Sequence, residues 1–164
     1  MFPAFIAAAF IVAHLIEASF IHALPSPFFL FPLCMILGVL LIHRGHLFLG
    51  AIWLCLSGPM LAWFGFDQAS FIAYLSISLL AIPLARRIFA QRSLYAMEGL
   101  GIVLFICFSM INILLAAIFG GDPKQEISQH FFTLLWLVLG LYIAFTMLIP
   151  LERFTKNFLR RREV

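Results

Sequence analysis

Six long apolar runs, each closed by a short polar or Pro- and Gly-bearing connection, organise the chain. They predict helices over about residues 2–24, 28–42, 47–64, 70–85, 94–119 and 130–149, with a basic tail over 151–164. The first run closes at Pro25-Ser26-Pro27, a tight turn that no helix continues through. The second is short and ends at the cluster His43-Arg44-Gly45-His46. Gly58-Pro59 falls near the middle of the third, where a missing amide donor favours a kink. Arg86 and Arg87 stop the fourth, residues 120–129 form the longest polar connection, and Pro150 is expected to break the sixth helix. Connections this short make consecutive helices antiparallel neighbours. The expected fold is an all-α, compact bundle of six transmembrane helices in a single domain.

Composition explains why lipid is the expected solvent. The 164 residues are 65% hydrophobic and 10% charged, with twenty Phe and a mean hydropathy of +1.13. A soluble domain carries closer to one charged residue in four. The net charge of +3 is unevenly placed. Arg44, Arg86, Arg87, Arg92, Arg153, Lys156, Arg160, Arg161 and Arg162 lie after the second, fourth and sixth runs, and Lys124 alone lies in an odd-numbered connection. Basic residues in short connections stay in the cytoplasm, so both termini are expected inside. The tail cations Arg153, Lys156, Arg160, Arg161 and Arg162 alternate with Phe154, Phe158 and Leu159, a pattern suited to anionic lipids of the inner leaflet or to a solvated stop-transfer tail. No basic stripe is interleaved with exposed aromatics, so no nucleic-acid partner is expected. Nor does the N-terminal run have a basic flank and small-residue cleavage site, so it reads as a retained span.

Glu17 is the sharpest polar anomaly, with His14 three residues earlier on the same helix face. An ionisable residue in hydrocarbon costs at least about 2.5–3.5 kcal/mol, so a compensating partner is expected. Three readings stay open: a proton-coupled or ligand site, an interface with a partner's transmembrane helix, or a packing residue hydrogen-bonded within the bundle. Depth counting brings Ser109 and Asn112 to about the level of Glu17, with Tyr74 and Ser76 as further candidates. His14 and Glu17 supply two ligands where a closed metal site needs three or four, so no metal and no cofactor is expected. Cys34, Cys55 and Cys107 lie inside apolar runs and are expected to be unpaired core residues. Ser57, Ser76, Ser78 and Ser109 have no base in place and are expected to bond back to their own helices. Ala4 and Ala8, Gly58 and Ala62, and Gly140 and Ala144 are each four apart, a spacing that lets helices approach closely in lipid.

One stretch resembles a known family. Residues 32–41, Arg44-Gly45, Gly50-Ala51, Gly65, Ala73-Tyr74-Leu75 and Arg86-Arg87-Ile88-Phe89 are similar to the bacterial rod shape-determining protein MreD family, over roughly residues 15–95. The chain departs from that family at Leu61-Ala62-Trp63, where an Asp is common. The resemblance implies a non-enzymatic scaffold of the cell-elongation, peptidoglycan-synthesising machinery in the bacterial inner membrane. Its implied partners are an MreC-like bitopic protein and a glycan synthase, with no catalytic residues to carry over. A second resemblance is to the substrate-binding S component of energy-coupling-factor vitamin transporters. Its first helix contacts the transporter module through an Ala-x-x-x-Ala pattern like Ala4 to Ala8.

Overall fold

The computed structural model describes residues 2–25, 28, 31–63, 68–89, 93–119 and 123–160, with side chains for all of these but 2–5, 22, 61–63, 68–70, 123–126 and 148–160. Among the described residues the chain is wholly helical. Helix α1 (Phe2–Leu15) passes into a π-helical turn (Ile16–Phe20) and a 3-10 turn (Ile21–Ala23), followed by α2 (Leu33–His43), α3 (Leu47–Trp63), α4 (Gln68–Arg87), α5 (Leu94–Phe119) and α6 (Pro123–Arg160). Two segments, Leu94–Phe119 and Ile127–Met147, are long and apolar enough to cross a bilayer. Ile6–Phe20, Leu33–His43 and Leu47–Met60 are shorter apolar helices. Large apolar side chains such as Phe20, Leu79, Met110, Phe131 and Met147 are exposed around the molecule.

Two helices, α2 and α6, differ in extent from the sequence pattern by five residues or more. Helix α2 starts at Leu33, five residues later than the apolar run, with Pro32 as its N-cap at φ −86° and ψ 69°. A proline pushes the residue before it out of the helical region, which keeps Phe31 outside the helix. Helix α6 begins at Pro123, inside the polar connection, and continues through Pro150 to Arg160. Proline suits the first helical turn, where its missing amide has no partner to lose. Within the helix, Pro150 removes one backbone donor, and α6 nonetheless runs on to Arg160.

Helix α2 is the centre of the bundle. At 11 residues it is only about 16 Å long, yet each of the other five helices packs against it. Met35, Ile36, Val39, Leu40 and Ile42 are buried in one core with Leu54 of α3, Ile77 and Ala81 of α4, Leu100 and Leu104 of α5, and Leu137 and Leu141 of α6. Around it, α3 lies against α4, α4 against α5, and α5 against α6. The turn from α2 to α3 is closed by a paired bond set: the His46 amide donates to the Leu41 carbonyl at 3.0 Å and the Gly45 amide to that of Ile42 at 3.0 Å. This C-cap requires a left-handed residue, and Gly45 supplies it at φ 93°. A second glycine sets the spacing of the two helices. A Cβ on Gly50 would lie 2.8 Å from the Gly38 carbonyl oxygen and 2.9 Å from the Ile42 nitrogen.

Candidate functional site

The segment that follows α1 brings a carboxyl group to the N-terminal end of α2. Over Ile16–Phe20 the chain widens into a π-helical turn, a local change of winding that recurs at functional sites. Glu17 lies in this turn and is buried, only 4% exposed. Its Oε2 accepts a hydrogen bond of 2.6 Å from the Cys34 backbone amide. Cys34 is the second residue of α2, whose N-cap Pro32 makes no side-chain cap bond. The first amides of any helix have no partner within it and collect the positive end of the helix dipole. A carboxyl group from a different helix therefore meets a donor that would otherwise be buried and orphaned.

Trp53 grips the same residue from the other side. Its indole N–H donates to the Cys34 carbonyl at 3.0 Å, and its ring meets Phe10 edge-on, centroids 4.9 Å apart. His14 is fully buried. Its Nδ1 donates to the Phe10 carbonyl at 2.8 Å, its ring lies 4.1 Å from that of Phe10, and its Nε2 has no partner among the described residues. With Nδ1 as the donor, a neutral His14 presents Nε2 as an open acceptor. Helices α1, α2 and α3 are thus joined at one polar layer within the apolar cluster of Ala13, Cys34 and Trp53. Tyr74 of α4 is also buried.

The rest of the residues singled out from sequence distribute elsewhere. Asn112 is buried on α5. Ser109 lines a groove of about 260 Å³ with Phe105 and His130, where α5 meets α6. The Ser109 hydroxyl has no partner among the described residues, so it departs from the expected back-bonding. Ser57, Ser76 and Ser78 do bond back, to the carbonyls of Trp53, Ile72 and Leu75. In helices with no competing acceptor nearby, that is the shortest available route. All three cysteines are free. Among the described residues no three His, Cys, Asp or Glu side chains gather as a metal site.

Gly58 is a point of close approach between α3 and α4, since a Cβ there would lie 3.0 Å from the Phe71 Cα. Gly140 lies against Ile36 and Phe31, and Ala144 is half-buried beside the main core. Ala8 is exposed. The side chains of Ala4, Ala62, Arg153, Lys156 and Arg160, and residues Arg161 and Arg162 altogether, lie outside the described set.

Sequence reasoning missed Cys34 and Trp53 as partners of the α1 residues. One signal was available: Pro32 precedes a helix with no Ser, Thr, Asp or Asn to cap it, so a donor there needs an acceptor from elsewhere. Comparison with protein-family models, curated proteins and solved structures returns no match for this chain.

Proposed function

We propose that the chain is a six-span bacterial inner-membrane protein with both termini in the cytoplasm. In this reading it acts as a non-enzymatic scaffold for partner membrane proteins, as its resemblance to the MreD family implies. The observation that carries the reading is the destination of the buried carboxyl group. Glu17 bonds to the Cys34 amide, so the buried carboxyl group just after α1 holds the bundle together internally. What α1 presents outward is apolar, small at Ala7 and Ala8 and larger at Ile11, Val12 and Leu15, all of them exposed. Such a surface suits contact with another transmembrane helix, because small residues allow close backbone approach. The orientation is supported by nine of the ten Lys and Arg residues lying in alternate connections or the tail.

Purification through an affinity tag in mild detergent tests the proposal. Recovery of a bitopic membrane protein and a glycan polymerase is the expected result. Recovery of an ATP-hydrolysing module, or of a vitamin bound to the chain, would overturn it in favour of the second reading. That reading, an S component of a vitamin transporter, is favoured by one observation: exposed Ala8 lies on the face where such proteins contact their module.

A further inference from the structure

The end of the bundle at which α2, α3 and α4 meet carries charge that the polar layer around Glu17 does not involve. The Gly45 C-cap turns the chain between Arg44 and α3. Because α3 and α4 pack closely along each other, the start of α3 lies beside the end of α4. The structure shows this contact directly: the Arg86 guanidinium carbon stands 5.7 Å from the centroid of the Phe48 ring. Arg86 and Arg87 are both exposed. Three large side chains are exposed in the adjoining segments, Phe48 at 65%, Ile88 at 65% and Tyr95 at 83%. Among the described residues, Arg44, Arg86 and Arg87 of these segments outnumber Glu98, half-buried on α5, while Glu17 is buried in the polar layer, so they leave an excess of positive charge.

Cations interleaved with exposed aromatic and aliphatic side chains match the boundary between phosphate headgroups and acyl chains. A guanidinium resting on an aromatic face keeps its in-plane N–H donors for a phosphate, and can bond it in bidentate fashion. Phe48, Ile88 and Tyr95 supply the apolar depth that a soluble phosphate would not use. We propose that Arg86, resting on Phe48, and its exposed neighbour Arg87 form a headgroup site for an anionic phospholipid of the inner leaflet, separate from the basic tail. The inference rests on the membrane-spanning, cytoplasmic-end reading given above.

The test uses the full chain in micelles containing phosphatidylglycerol and phosphatidylcholine, with retained lipid counted by native mass spectrometry. The wild-type chain is expected to retain phosphatidylglycerol preferentially. The double variant R86Q/R87Q should lose roughly 25-fold in that preference, about fivefold for each arginine near a charged surface. R86K/R87K should keep most of it, and R160Q/R161Q/R162Q should keep the site. An unchanged preference in R86Q/R87Q overturns the site, as does its loss in the tail variant alone. Displacement of the lipid by inorganic phosphate would overturn the assignment to a headgroup. Failure of the underlying reading looks different: a chain released from membranes by alkaline carbonate is not an integral membrane protein at all.

Discussion

A carboxyl group buried among apolar side chains is destabilising unless its oxygens are hydrogen-bonded, and at Glu17 the donor is an amide that α2 itself leaves without a partner. The same bond explains two costs at once. Glu17→Gln keeps an acceptor in place, so it is expected to lose only about 1 kcal/mol of stability. Glu17→Leu removes the acceptor and leaves the Cys34 amide buried and unpaired, for a loss of about 2–3 kcal/mol. Unfolding of the purified variants in mixed micelles measures both. Equal losses would mean that the acceptor is not what matters, and a pH-dependent activity alongside them would point to proton coupling instead.

At the scale of the element, α2 is too short to act as a scaffold by length alone, and its two ends are held by different means. The N-terminal end depends on Glu17 from a distant segment, whereas the C-terminal end depends on a left-handed glycine in its own turn. Between them, Gly50 lets α3 approach the α2 backbone. Ala at Gly50 would press its Cβ onto main-chain atoms at 2.8 and 2.9 Å, and a loss of about 1–3 kcal/mol is expected, as for overpacking elsewhere. Gly99 offers a contrast. There the added Cβ would meet the Phe89 ring at 2.6 Å, a side chain that can swing aside, and the gain in helix propensity of up to about 1 kcal/mol opposes the clash. Gly99→Ala should therefore be close to neutral in the same assay. If the two variants were equally destabilised, the α2–α3 approach would not be a special constraint.

The whole molecule is a short apolar helix wrapped by five others, with apolar side chains on the outside as well. That arrangement is stable in lipid and unfavourable in water. The proposed orientation rests on the distribution of cations, and it is open to direct measurement. A reporter active only in the cytoplasm is expected to work when fused after Val164 and to fail when fused after Lys124. The reverse pattern would turn the molecule over, and would place the Arg86–Arg87 end in the wrong leaflet for the proposed headgroup site.

How much of this was legible beforehand depends on the range of the interaction. Apolar runs and their breakers are local, so the number of helices, the ends of α3 and α5, and the back-bonding of Ser57, Ser76 and Ser78 could be read in advance. A depth argument found that Glu17 needed a partner and named Ser109 and Asn112 of α5 with Tyr74 and Ser76 of α4, whereas its bond to the Cys34 amide runs to α2, 17 residues along the chain. The helices are apolar on nearly all sides, so no polar face distinguishes the side packed inward from the side left outward. The choice of α2 as the centre and the close passage of Gly50 over Gly38 were settled by packing. Each depends on shapes that meet only once all the helices are in place, and linear periodicity carries no record of them.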